Sequence, residues 1–342
     1  MRKPKHRVFL LSLIGSFLVL LLAACGGSGS SSTPVPTPTL NSTQVNITPY
    51  TLSGHTDEIT DESWSPNAKM IASSSKDKTV RVWDAATGKA LYTYSGHSDT
   101  VNSLAWSPDS KRIASASDDG TVQVWDATTG SHVLTFHSPD SSVSAVAWSP
   151  DGKLIASGED TIEIWDAATG KTSQTLNPNA AVDALVWSPD SKQLASGHTD
   201  DTVTVWDATS GNMLFTFKGN VSSQYQIQVN PNALAWSPDG KQLVLGDNAG
   251  MVQIFDAATG KLGVTYKNFS QGITAVHWLP DGKRIVAASA DGTVQVFDAS
   301  TGSQIFTFTD PATDVEAMDL SPNGIYMVTG GIDMKERVSK LG

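Results

Sequence analysis

Seven histidines and a single cysteine are the side chains of this 342-residue chain best suited to metal or nucleophilic chemistry. Metal binding needs several such groups brought together, and nucleophilic catalysis needs a base beside the nucleophile. The motifs that guarantee such meetings are missing. No Gly-x-Ser-x-Gly elbow, His-Glu-x-x-His zinc helix, Gly-x-x-x-x-Gly-Lys-Ser/Thr phosphate loop or Cys-pair metal spacing occurs. His55, His97, His137 and His198 fall near turns on one face, which is the nearest approach to a metal set. They belong to different repeats, and no carboxylate pattern accompanies them. No catalytic residue, metal or other cofactor is therefore expected.

The thiol has a more informative context. A basic "MRKPKHR" precedes the apolar run Val8 to Ala24, and Cys25 follows at once. That run is short for a bilayer span, which takes about 20 residues. "LAAC", from Leu22 to Cys25, resembles the lipobox of bacterial lipoproteins. The resemblance implies that residues 1–24 are a signal peptide and that the Cys25 sulfur carries a diacylglycerol. The body would then be held outside the cytoplasm, on the outer face of the cell membrane or on an outer membrane. Residues 25–45 are rich in Gly, Ser, Thr and Pro, with little to bury, and read as a tether spanning roughly 25 Å. With no second cysteine there is no disulfide.

Charge narrows the partners. The chain carries a net charge of −11, and four of its 23 basic residues precede Cys25, leaving 19 Lys+Arg against 34 Asp+Glu in the body. So acidic a body repels phosphate backbones, and no nucleic acid is expected.

The elements that must position any site are periodic. An aromatic–Asp pair recurs at Trp83, Trp125, Trp165, Trp206, Phe255 and Phe297, at intervals of 42, 40, 41, 49 and 42 residues. A Ser-Pro-Asp-Gly mark or a near relative puts prolines at 66, 108, 150, 189, 238, 280 and 322, so there are seven units. Each reads as four short strands. In one unit "VNSLAW", "KRIASAS", "TVQVWD" and "SHVLTF" are separated by "SPDS", "DDG" and "ATTG" turns. Nothing helical intervenes, which excludes βαβ folds. The last unit holds only three strands, "DVEAMDL", "GIYMVTG" and "KERVSK". A surplus strand, "NITPYTLSG", precedes the first unit and can pair onto 335–341 to close a ring.

This two-part signature, repeated across residues 46–342, resembles the WD-repeat β-propeller family. The resemblance implies an all-β, seven-bladed propeller of four-stranded antiparallel blades, closed by the N-terminal strand on the C-terminal blade. It also implies a hydrogen-bonded relay wherever the family's Gly-His pair occurs. Matching positions are His55, Ser73, Asp77 and Trp83 in blade 1, and His97, Ser115, Asp119 and Trp125 in blade 2. Ser75 and Ser117 fit the serine position as well. Blades 3 to 7 lack the Gly-His, although Asp200, Asp291 and Asp333 keep the turn aspartate, so their relays read as incomplete.

Three substitutions interrupt the innermost strands. His277 and Asp319 stand where the other blades have Ser63, Ala105, Ala147, Val186 and Ala235, and are expected to share a hydrogen bond or a water near the channel. Glu62 replaces a Leu, Val or Met, and needs a partner or water because burying an unpaired carboxylate is costly. The family resemblance implies a non-enzymatic scaffold that binds another protein or peptide. The alternative is a lactonase-like hydrolase with its site at the channel mouth. A polar residue recurs four places before each Ser-Pro tryptophan: Thr60, Asn102, Ser144, Asp183, Asn232 and Thr274, with Glu316 matching in blade 7. These, with Tyr225 in the insertion "GNVSSQYQIQVN", are the expected partner-binding rim. Acids on the same face, Asp57, Glu58, Asp118, Asp140 and Asp200 among them, point to a basic partner.

Overall fold

The computed structural model describes residues 49–200, 202–218, 233–309 and 315–341. Every element among them is a β-strand, and the strands form seven four-stranded antiparallel sheets. Blade 2 shows the plan, with Val101–Trp106 innermost, then Arg112–Ser117, Thr121–Asp126 and, outermost, His132–His137. Its turns are set by side chains. The Ser107 hydroxyl donates to Asp109 Oδ1 at 2.6 Å and accepts the Arg112 N–H at 2.9 Å. After the third strand, Asp126 Oδ1 accepts from the N–H and hydroxyl groups of Thr128 and Thr129 at 2.7 to 3.0 Å. The aspartate of the aromatic–Asp pair is thus a turn cap, and these bonds, the Thr128 hydroxyl first, lower its pKa to about 2.

Seven buried apolar clusters fill the seven gaps between blades, each drawing on two neighbours. Aromatic stacking recurs across these gaps. The outer-strand Tyr94 of blade 1 stacks on Trp125 of blade 2 at 4.4 Å, Phe136 on Trp165 at 4.7 Å, and Tyr266 on Phe297 at 4.5 Å.

Blade 7 takes Val315–Leu320, Tyr326–Gly331 and Lys335–Lys340 from the C-terminal end and Tyr50–Ser53 from the other. The register runs from Tyr50 opposite Val338 to Ser53 opposite Lys335. Leu52, 1% exposed, packs with Trp64, Ile71 and Trp83 of blade 1. Burying a leucine contributes about 1.5–3 kcal/mol, and pairing removes a bare edge from the third strand. The innermost strand of blade 7 meets that of blade 1, Ile59–Trp64, and the ring is closed.

The Ser-Pro and aromatic–Asp turns share one face, called the bottom. Loops that enter each blade, and those between its second and third strands, share the other, the top. In two bottom turns the expected glycine is Ser110 or Ser191, at φ 61° and 60°. Each hydroxyl accepts an N–H from the preceding blade, Asn67 and Asp151 respectively, at 3.0 Å. A bond between blades offsets a backbone conformation that costs a serine stability.

Candidate functional site

The polar residues of the top rim owe their orientation to an irregularity. Thr60, Asn102, Asp183, Thr274 and Glu316 are each the extra, unpaired residue of a β-bulge in the innermost strand. Ser144 immediately precedes its strand, Ala145–Trp148. A bulge turns its extra residue out of the ladder and re-aims the side chain. Three of these side chains are committed to the next blade. Thr60 Oγ1 donates to the Val101 carbonyl at 2.6 Å, Asn102 Nδ2 to that of Val143 at 3.1 Å, and Ser144 Oγ to that of Val182 at 2.8 Å. The rim is not uniform around the ring. Thr274 is buried at 3% exposure, whereas Glu316 is exposed. Half-buried Asp183 has no hydrogen-bond partner for Oδ2 among the described residues, and burial pushes its pKa up to about 7. Cys25, Tyr225 and Asn232 lie outside the described residues.

On the side of blades 7, 1, 2 and 3 the rim surrounds a cavity of about 430 Å³. Glu58, Asp118, Glu159 and Glu316 line it with Thr60, Asn102, Ser142, Ser144 and Lys76. Lys76 is the one cation of the lining and is already paired with Glu58. Asn102 Nδ2 also donates to Asp118 Oδ1 at 2.7 Å, fixing that carboxylate at the rim. Burial raises the Glu159 pKa, and the charges of Asp160, Asp118 and Asp140 raise it further. Four carboxylates around one neutralised lysine make a negative basin, suited to an ammonium or guanidinium group.

The lower channel, a cavity of about 580 Å³, is lined by Trp64, Trp106, Trp148, Trp187 and Trp236 and by aliphatic and small side chains, among which stand Asp61, Glu62, Asp319 and His277. Asp319 Oδ2 accepts from Trp64 N–H at 2.7 Å and from Ser63 Oγ at 3.2 Å, while Oδ1 lies 3.6 Å from His277 Nδ1. His277 Nε2 lies 2.9 Å from the Met318 carbonyl. Asp61 repeats the device in blade 1, accepting the Leu104 N–H at 2.9 Å and the Ser103 hydroxyl at 3.2 Å. Burial outweighs these bonds and pushes its pKa up to about 7. Innermost strands have no further strand on their channel side, so these carboxylates supply acceptors that a ladder would otherwise provide. Glu62, 3% exposed, sets its carboxylate against Gly330 of blade 7, where a Cβ would have no room. The order Ser63–Asp319–His277 puts the carboxylate in the middle. The imidazole is therefore not placed to take a proton from the serine. Among the described residues no three His, Cys, Asp or Glu side chains group as metal ligands.

The relay residues meet in both blades. His55 Nδ1 is 2.9 Å from Asp77 and its Nε2 2.9 Å from Ser73 Oγ, which accepts from Trp83 Nε1 at 3.0 Å. In blade 2 the same three distances are 2.9, 2.8 and 3.2 Å for His97, Asp119, Ser115 and Trp125. Of the two serines that fitted blade 1, Ser73 touches the histidine, and Ser75 instead donates to the Asp57 carbonyl. Burial alone would raise the Asp77 pKa, but bonds from His55, Thr79 and the Thr56 N–H hold it far below the carboxylate range. Asp119 is lowered by the same balance. One relay member escaped the sequence reading. In blade 4, His198 reaches Ser196 Oγ with Nε2 at 2.9 Å, and Trp206 Nε1 donates to that hydroxyl at 2.7 Å. It comes from the second strand, so searching for Gly-His misses it. A Ser-x-His ahead of the turn aspartate was the available signal.

Comparison with known families agrees with this geometry. The family model of the IFT122 first beta-propeller matches residues 58–233, more than half of the chain. That of the eukaryotic translation initiation factor eIF2A matches 158–309, and that of the WD domain, G-beta repeat, matches 302–335. No curated protein matches the chain.

Proposed function

We propose that this chain, which belongs to the WD-repeat β-propeller family, is a non-enzymatic scaffold that holds a basic protein or peptide on its top face. It does so outside the cytoplasm, displayed from a lipid on Cys25. The observation that carries the binding reading is the cavity between blades 7 and 3, with four carboxylates and one paired lysine. A WD-repeat propeller supports a protein-interaction role in general; the sign of the partner follows from this basin. Asn102 and Ser144 clamp one blade to the next, so the rim is set before a ligand arrives and little ordering is left to binding. Attraction is long-ranged at low ionic strength and fades as salt screens it.

The test uses a fluorescent lysine- and arginine-rich peptide and two variants of equal charge change. Asp118→Asn with Glu159→Gln and Glu316→Gln neutralises the top. Asp151→Asn with Asp190→Asn and Asp239→Asn neutralises the bottom. The top variant is expected to weaken the peptide's Kd by about tenfold or more, the bottom variant by less than about twofold. Equal losses in both would mean the peptide follows net charge alone, and the top-face reading would be abandoned.

A further inference from the structure

We propose that the ring rests with its bottom face on an anionic phospholipid surface and turns its acidic top face away from it. This rests on the lipid-anchor reading above and adds an orientation to it. Two independent observations lead there. The first is where the chain enters. Tyr50 pairs with Val338 and Ser53 with Lys335, so the outer strand of blade 7 runs from bottom to top. Pro49, the first described residue, therefore stands at the bottom rim, and the 48 residues before it join the ring there.

The second is the distribution of charge. Residues 49–342 hold 19 Lys and Arg and 34 Asp and Glu. Among the described residues, twelve of those cations but only 11 acids lie in the bottom turns and the strand ends beside them, leaving seven cations against 20 acids elsewhere. The bottom is close to balanced, and the negative excess of the described residues lies off it. Depth sharpens the contrast. Lys111, Lys153, Lys192 and Lys241 project from successive Ser-Pro turns with side chains 76–78% exposed, against 39–58% for the aspartates beside them. In the other turns one carboxylate oxygen of Asp84 and of Asp126 is taken up by bonds to the turn. In the four Ser-Pro turns each ammonium is paired with its aspartate at 3.1 to 4.0 Å and stands further into solvent than the carboxylate. A negatively charged bilayer repels the top and attracts those ammonium groups within a Debye length. One orientation satisfies both the chain path and the field.

The experiment uses the full chain, purified from bacterial membranes and reconstituted into vesicles of phosphatidylethanolamine with phosphatidylglycerol, or of phosphatidylcholine alone. A water-soluble acetylating reagent labels lysines, and mass spectrometry reads the rate at each. On anionic vesicles Lys111, Lys153, Lys192 and Lys241 are expected to react about threefold more slowly than on phosphatidylcholine, with high salt restoring the rate. Lys78, on the top face, is expected to keep one rate throughout. A chain that floats with anionic vesicles yet shows no slowing of those four, or slows at Lys78 instead, overturns the orientation and leaves the anchor standing. A chain that fails to float, or floats equally well as Cys25→Ala, overturns the anchor and the orientation with it.

Discussion

Trp125 and Phe255 fill the same place in their blades, and the residue beneath each answers to its chemistry. Trp83, Trp125, Trp165 and Trp206 each donate their indole N–H to a serine at one fixed second-strand position. Phe255 and Phe297 have no N–H, and the corresponding residues are Leu245 and Ala287. In blades 1 to 6 donor and acceptor are thus present or absent together, as burial demands. Ser115→Ala should therefore cost about 1–3 kcal/mol in chemical denaturation, because it strands the indole and His97 Nε2. With Trp125→Phe added, the pair should cost less than the sum of the singles by about 0.5–3 kcal/mol. Strict additivity would mean that the relay is not a unit. Asp183 makes the opposite case, a carboxyl with a folded pKa of about 7. Its proton is favoured in the fold, so its contribution is complete below the unfolded pKa near 4 and is lost as pH rises towards 7. Asp183→Asn should stabilise the chain by about 1–2 kcal/mol near pH 8 and by almost nothing near pH 4. A gain of equal size at both pH values would contradict that origin. The relays of blades 1 and 2 were legible because Gly-His, turn Asp and Trp recur at fixed spacing. His198 was not, since it comes to the same hydroxyl from another strand.

At the scale of elements, strand number and turn placement could be read almost directly, because Pro-Asp and aromatic–Asp turns punctuate every blade. Strict alternation, however, describes a flat ladder, and five innermost strands interrupt theirs with a bulge at the rim residue. A polar residue at one fixed place before each Ser-Pro tryptophan accordingly read as a single rim. The bulges instead give side chains that clamp the next blade, one that is buried and one that is exposed. The closing strand was legible by counting, and its role can be tested by truncation. Deleting residues 49–54 removes Leu52 from its cluster and the Tyr50 hydroxyl from the Ala85 carbonyl, and bares the edge of Lys335–Lys340. We expect a fall in Tm of more than about 10 °C or aggregation on heating. Deleting 26–40 should leave Tm unchanged. Equal melting of the two truncations would show that the seam does not hold the ring.

For the whole molecule, composition gave the sign of the charge but not its place. Only the path of the strands assigns each turn to a face, and with it Glu58, Asp118, Glu159 and Glu316 to the top. The same assignment makes the body a poor ligand for other acidic surfaces except bottom-first, and a good one for a cation arriving at the rim of blades 7, 1, 2 and 3. A zero-length carbodiimide cross-link between a lysine-rich peptide and this chain, read by mass spectrometry, tests that claim most directly. It joins an ammonium only to a carboxylate that it touches. The account predicts adducts at Glu58, Asp118, Glu159 and Glu316, suppressed by high salt. Adducts gathered instead at Asp109, Asp151, Asp190 and Asp239 would contradict it, since those carboxylates lie on the bottom.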